Sequence, residues 1–77
     1  MSAELLAWIA RGLVDDPDAV QVERLDEGDV VVLRLHVAPD DVGKVIGRQG
    51  RLARALRTVV RAGGARAGRR HVLDIVD

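Results

Sequence analysis

Val45-Ile46-Gly47-Arg48-Gln49-Gly50-Arg51-Leu52 is the stretch that decides the fold of this chain. Its two glycines bracket one basic and one polar residue, and apolar residues stand on either side. Glycine has no side chain and adopts backbone angles that other residues avoid, so backbone can approach a ligand closely here. A helix that begins after Gly50 points its unpaired N–H groups and the positive end of its dipole at this loop. The stretch therefore predicts a loop between two helices that suits a phosphate backbone.

The residues before this loop predict a helix followed by a β-hairpin. Ser2 is a suitable N-cap for a helix from Ala3 to Val14, which the Asp15-Asp16-Pro17-Asp18 run ends. Helical spacing gives this helix an apolar face, with Trp8 beside it as a core residue; the face comprises Leu5, Leu6, Ile9 and Leu13. Alternation over residues 20–23 and a β-branched run over residues 30–37 predict two strands, joined by a four-residue connection at residues 26–29.

The remaining residues predict two more helices and a third strand. Asp40 is a suitable cap for a short helix that ends at Ile46. The longest helix is expected from Arg51 to Ala62, where Gly63-Gly64 ends it. A third strand follows over residues 71–76. In the second strand Val31, Leu33, Leu35 and Val37 share a face that packs under the helices. About thirty residues separate the second and third strands, which is enough for a parallel crossover in the order α-β-β-α-α-β.

The long helix carries an apolar stripe and a basic stripe on opposite sides. Its apolar stripe comprises Leu52, Leu56, Val59 and Val60, and its basic stripe comprises Arg51, Arg54, Arg57 and Arg61. Opposed stripes are typical of any surface helix, but salt-bridged surface helices usually mix their charges, and this one carries four arginines without an acid. The basic stripe could therefore face an anionic ligand, a protein partner or only water.

The charge of the chain changes sign at the edge of the glycine loop. Residues 1–43 contain ten acids and three bases, for a net charge of −7. Residues 44–77 contain nine bases and two acids, Asp74 and Asp77, for a net charge of +7. This polarity predicts one basic face that suits an anionic partner or an acidic protein surface, although segregated surface charge without a function is the alternative.

Length and composition exclude several classes of protein. We expect one small domain without a deep enclosed active site. The absence of cysteine excludes a disulfide scaffold and fits a cytoplasmic protein, and no apolar run in the sequence is long enough to span a membrane. His36 and His71 fall in predicted strands without acids at metal-ligand spacing, and no catalytic constellation is present. We therefore expect no metal, no cofactor and no enzymatic activity.

The glycine loop and its flanks resemble the V-I-G-x-x-G-x-I core of KH domains, with Leu52 in place of the commoner isoleucine. KH domains are single-stranded RNA binders built around a helix–GxxG–helix clamp, and the element order is similar to their type II, or prokaryotic, arrangement. The chain is similar to the small bacterial KH proteins of the KhpA (YlqC-like) family in its length, in its glycine loop and in its last residues, 73–77. The resemblance implies an α+β fold: a single type II KH domain over residues 1–77, with a three-stranded mixed sheet packed on three helices.

The resemblance also implies where RNA binds. Residues Gly47, Arg48, Gln49 and Gly50 would contact the sugar-phosphate backbone of about four nucleotides, with Arg48 the side chain best suited to phosphate. An apolar groove for the bases would be lined by Val45, Ile46 and Leu52, and the positive field would be strengthened by Lys44, Arg51 and Arg54. Single-stranded DNA is a weaker alternative ligand.

KhpA-like proteins are associated with self-association, with a larger KhpB (Jag) KH protein, and with post-transcriptional control and cell elongation or division. The resemblance therefore implies an RNA chaperone or post-transcriptional regulator that acts with a KhpB/Jag-type partner. The long helix and the glycine loop are the candidate dimer surface. A KH-fold interaction module that binds little RNA of its own remains the alternative.

Overall fold

The computed structural model describes residues 2–76, so Met1 and the acid Asp77 lie outside the described residues. The helices are α1 (Ala3–Arg11), α2 (Val42–Ile46) and α3 (Arg51–Arg66), and the strands are β1 (Gln21–Glu27), β2 (Val30–His36) and β3 (Arg70–Val76). Short 3₁₀ turns occupy Pro17–Ala19, Pro39–Asp41 and Arg48–Gly50. The predicted α+β class and the order α-β-β-α-α-β are confirmed. No helix within residues 2–76 combines the length and the apolar character that crossing a membrane requires.

β2 is the central strand of a three-stranded mixed sheet with the order β1-β2-β3. It pairs antiparallel with β1 and parallel with β3, as the length of the crossover predicts. Glu27 still pairs with Val30, so the hairpin turn contains only Gly28 and Asp29. The predicted four-residue connection is wrong because β1 continues through Asp26 and Glu27, two acids that lie exposed at a sheet edge.

One core cluster joins the three helices to a single face of the sheet. Alternation along β2 decides which face this is: Val31, Leu33 and Leu35 are at most 1% exposed, as predicted. The strand residues between them are only half-buried on the other face. The helices contribute Leu6, Ala7, Ala10, Val45, Leu56 and Val60 to the same core.

The buried face of α1 differs from the predicted one. Ser2 caps the helix as predicted, because its hydroxyl accepts the Leu5 N–H at 3.1 Å. The prediction that Trp8 is a core residue is wrong, since its side chain is 71% exposed. Leu6 is buried as predicted, but the other buried residues are the small Ala7 and Ala10, and the helix ends at Arg11, before the predicted Val14. The buried or half-buried positions 3, 6, 7, 9 and 10 lie on one side of the helix, and Trp8 points away from them.

α3 is longer than predicted, because Gly63 and Gly64 do not end it. The helix continues to Arg66, and Gly64 lies buried within it. A Cβ atom on Gly64 would lie 2.6 Å from the Arg69 carbonyl oxygen and 2.6 Å from His71 Nδ1. The missing side chain therefore lets α3 and β3 approach each other. The prediction that Val59 belongs to the packed stripe is wrong, since it is 49% exposed.

Asp41 joins the start of α2 to the loop after α1. Its carboxylate is 2% exposed and accepts the backbone N–H groups of Asp15 at 3.3 Å and Asp16 at 3.0 Å. The prediction that Asp40 caps the short helix is wrong, because a 3₁₀ turn through Asp40 precedes α2 and no described side chain caps it. Asp41 instead fixes the position of α2, and with it the entry to the glycine loop.

Candidate functional site

Residues 47–50 turn the chain sharply between α2 and α3. The Gly47 N–H donates to the Gly43 carbonyl at 2.9 Å and closes α2, and the Gly50 N–H donates to the Gly47 carbonyl at 3.2 Å. Three of the four residues have positive φ angles: 76° at Gly47, 57° at Gln49 and 73° at Gly50. Because of this turn α3 begins immediately at Arg51, so the predicted loop between two helices is confirmed.

The two glycines of the loop are required for different reasons. A Cβ atom on Gly47 would lie 2.8 Å from the Leu52 Cβ, so a side chain there would strike the first turn of α3. A Cβ atom on Gly50 would have nothing within 4 Å of it, and only the backbone angle favours glycine there. The open space beside Gly50 leaves its backbone approachable by a ligand.

Two arginines of α3 hold the loop in this conformation. Arg51 Nη2 donates to Gln49 Oε1 at 3.2 Å, and Arg54 Nη2 donates to the Gln49 carbonyl at 3.1 Å. Gln49 is the only non-glycine residue within residues 2–76 with a positive φ, a conformation that is uncommon for such residues. The contacts from Arg51 and Arg54 therefore stabilise an unusual backbone while both guanidinium groups stay at the surface.

Arg48 is the cation of the loop that remains available. Its side chain is exposed and makes no hydrogen bond or ion pair with another residue in the 2–76 range. It stands beside the N-terminus of the 16-residue helix α3, where no described side chain caps the first turn. Free N–H groups at a helix N-terminus and an adjacent guanidinium both favour a negatively charged ligand.

Lys44 is engaged with acids of the N-terminal half. Its Nζ lies 2.9 Å from Asp15 Oδ2 and 3.4 Å from Asp41 Oδ1. The hydrogen bond to Asp15, followed by that to Asp41, raises the pKa of Lys44 above its usual value. Burial works against the ionised Asp41, but the N–H groups of Asp16 and Asp15 and the Lys44 ammonium outweigh it and lower the pKa of that carboxyl. Lys44 is therefore positively charged, but the two carboxylates neutralise part of the positive field that it would present to a ligand.

The apolar residues around the loop divide into core and surface. Val45 is 0% exposed, so its predicted place along a groove is wrong and it supports the loop from the core. Val45 is buried because the short helix α2 needs an apolar contact that holds it against the core. Ile46 and Leu52 are half-buried and have surface within reach of a ligand.

A cleft of about 210 Å³ opens between α3 and the edge strand β3. It is lined by Arg57 and Arg61 of the helix and by residues 70–73 of the strand, which include Arg70 and His71. The basic stripe of α3 therefore reaches from the loop into this cleft. The ten helical steps from Arg51 to Arg61 span about 15 Å. Sequence patterns do not identify the ligand of this stripe. They also do not indicate that Arg70 belongs to the same surface, because only the fold places the start of β3 beside α3.

The chemistry offered along this surface is that of anion binding. Backbone N–H groups and guanidinium groups provide donors and positive charge. Within residues 2–76, no three histidine, aspartate or glutamate side chains cluster so that they could hold a metal ion. His36, for example, contacts Glu23 on the open face of the sheet rather than a second histidine.

Comparisons with known proteins agree with this architecture. The family described as KhpA/KhpB, KH domain matches residues 3–75. The RNA-binding protein KhpA of Halalkalibacterium halodurans is 52% identical over 73 residues, which cover 95% of this chain and 96% of that protein. The RNA-binding protein KhpA of Streptomyces coelicolor is 52% identical over 77 residues, which cover 97% of this chain and 95% of that protein.

A third relative matches over a similar length. The RNA-binding protein KhpA of Clostridium acetobutylicum is 48% identical over 73 residues, which cover 95% of this chain and 97% of that protein. No solved structure gives a significant match. The match over residues 3–75 begins with α1 and includes the glycine loop and nearly all of β3. The chain therefore belongs to the KhpA/KhpB family of KH domains, and its fold is a single KH domain of the type II order.

Proposed function

We propose that this chain is a non-catalytic single-stranded RNA-binding protein that holds the sugar-phosphate backbone with residues 47–50. The observation that carries the proposal is the exposed Arg48, which has no partner within residues 2–76 and stands at the uncapped N-terminus of α3. The open space beside Gly50 allows the close approach of backbone that a GxxG clamp needs. The name of the relatives, RNA-binding protein KhpA, supports the same ligand.

The basic stripe extends the proposed RNA site beyond the loop. From Arg48 the phosphates would follow α3 towards Arg57 and Arg61, which line the cleft beside β3. Ile46 and Leu52 are the half-buried apolar residues proposed to contact bases next to the loop. Phosphate contacts carry no sequence information, so we expect modest affinity and weak overall discrimination from one domain.

The salt dependence of RNA affinity tests this proposal. If three or four phosphates are contacted, a plot of log K against log salt should fall with a slope of about −2 to −3, because each contact releases condensed counterions. The slope is measured by fluorescence anisotropy of a labelled single-stranded octanucleotide at several salt concentrations from about 50 to about 300 mM. A slope near zero would contradict phosphate binding by the loop and stripe.

Freeing Lys44 should strengthen RNA binding. Asp15→Asn removes the carboxylate that lies 2.9 Å from Lys44 Nζ, and it keeps the backbone N–H that Asp41 accepts. We expect RNA affinity to rise about twofold, the size of one exposed charge interaction. Asp18→Asn is the matched control, since it removes the same charge from an exposed residue without an ion pair in the described part of the chain. An equal gain in both variants in the anisotropy assay would show that Asp15 does not restrain Lys44.

A second candidate function, self-association through α3, is favoured by the exposure of Val59. This residue is 49% exposed on the helix that follows the glycine loop. Ala55 and Ala62 are exposed on the same side of α3 as Val59, and adjoining apolar residues on a surface favour contact with another protein. RNA and a second copy would then compete for neighbouring surfaces. We further propose a KhpB/Jag-type KH protein as a partner in an RNA chaperone or regulatory role, which the shared KhpA/KhpB family supports.

A further inference from the structure

His71 lies at the floor of the cleft between α3 and β3 in a fixed orientation. The residue is only 7% exposed and packs against Gly64, where a Cβ atom would lie 2.6 Å from Nδ1. Nδ1 is 3.1 Å from the Arg69 carbonyl oxygen. A carbonyl oxygen can only accept a hydrogen bond, so Nδ1 carries the hydrogen in the neutral ring. The other nitrogen, Nε2, is then an acceptor.

Nε2 of His71 retains accessible surface. No other residue between 2 and 76 forms a hydrogen bond with it, and no buried side-chain nitrogen or oxygen in that range lacks a partner. The atom therefore has accessible surface. Of the six residues that line the cleft, Arg57, Arg61 and Arg70 carry only donors, and the two others are Val72 and Leu73. His71 Nε2 is thus the sole side-chain acceptor among the lining residues.

We propose that His71 is a specificity-determining residue of the RNA site, whose Nε2 accepts a hydrogen bond from the exocyclic amino group of a base such as adenine. This inference rests on the proposed RNA binding and adds that the cleft selects a base with an exocyclic amino group. An exocyclic amino group projects from the ring and can reach an acceptor at the floor of the cleft. The ring N–H of uracil lies between two carbonyl oxygens, and the lone pairs of those oxygens would repel the lone pair of Nε2. A polar group left unpaired in a buried site costs binding energy, so the acceptor selects against such a base.

The test compares two octamers that differ only in that amino group. One is octa-adenylate, and in the other purine riboside replaces every adenosine. We expect the wild-type protein to bind octa-adenylate about fivefold more tightly, as one hydrogen bond allows. His71→Leu should remove the difference, because leucine has no acceptor. His71→Gln should keep a preference, because its amide oxygen can accept.

The outcomes separate this inference from the function on which it rests. Equal affinity of the wild-type protein for the two octamers would overturn the role of His71, and this comparison requires no variant to fold. A fivefold preference that persists in a folded His71→Leu protein would also overturn it. Failure of every single-stranded octamer to bind would contradict RNA binding itself, and this inference would fall with it. Thermal melts of each variant establish that it is folded.

Discussion

Replacing Gly64 with alanine (Gly64→Ala) is expected to lower the free energy of unfolding by about 2 kcal/mol in total. This is the balance of an overpacking penalty of about 3 kcal/mol and a gain of about 1 kcal/mol from the better helix propensity of alanine. The new Cβ atom would lie 2.6 Å from both the Arg69 carbonyl oxygen and His71 Nδ1, and 2.7 Å from His71 Cβ. Backbone oxygen cannot rotate away as a flexible side chain can. The Arg69 N–H also donates to the Gly64 carbonyl at 3.0 Å, so relief of the clash would stretch the junction of α3 and β3.

The measurement is a thermal melt followed by circular dichroism, where a loss of about 2 kcal/mol in a domain of this size lowers Tm by roughly 8–16 °C. Gly43→Ala is the matched control: Gly43 lies in helix α2, and nothing lies within 4 Å of a Cβ atom placed on it. It should melt at an unchanged or higher temperature. If Gly64→Ala melts no lower than the wild-type protein, Gly64 does not hold α3 and β3 at close distance.

Gly64 also shows where prediction from the sequence ends. A glycine after an apolar helical run is typical of a C-terminal cap, and local pattern cannot distinguish it from a glycine that admits a neighbouring strand. The distinction depends on His71, which reaches Gly64 only because β3 pairs parallel with β2. Trp8 was mispredicted for a related reason. Alanines help to pack α1 onto β1, but a prediction from the spacing of large apolar residues takes little account of alanine.

Features with a local cause were predictable. Alternation in β2 identified its buried face, and the two glycines at 47 and 50 located the loop between α2 and α3. Asp41 was not predictable, because its partners Asp15 and Asp16 lie 26 and 25 residues away in sequence. The arginine-lined cleft likewise exists only once β3 lies beside α3. The loop could therefore be predicted from sequence, whereas the contacts that hold it and the surface that extends it could not.

Replacing Arg48 and Gln49 together with aspartate (Arg48→Asp, Gln49→Asp) is expected to weaken binding of single-stranded RNA by about 100-fold or more. The change removes a charge-assisted contact to phosphate, worth about 1.5–3 kcal/mol, and puts two carboxylates where phosphates are proposed to lie. The fold should tolerate it. Gln49 has a φ of 57°, which aspartate adopts more readily than most residues, and acids at the N-terminus of α3 suit its dipole.

A control variant separates the local contact from the general loss of positive charge. Gln21→Asp with Arg24→Asp makes the same change of charge on exposed residues of β1, at the sheet edge opposite the cleft. At physiological ionic strength the Debye length is about 8 Å, so distant charges are largely screened. This control should bind RNA within about threefold of the wild-type protein, the range of a weak exposed charge effect.

The most direct test of the proposed clamp is therefore the anisotropy of one labelled single-stranded octanucleotide titrated with three proteins: wild type, the variant of residues 48 and 49, and the β1 control. We predict near-normal binding by the control and loss of binding by the variant of residues 48 and 49, with thermal melts nearly unchanged. Loss of self-association or partner binding with RNA affinity intact would favour the interaction module. Unaltered RNA affinity in the folded variant of residues 48 and 49 would contradict the claim that the glycine loop holds RNA.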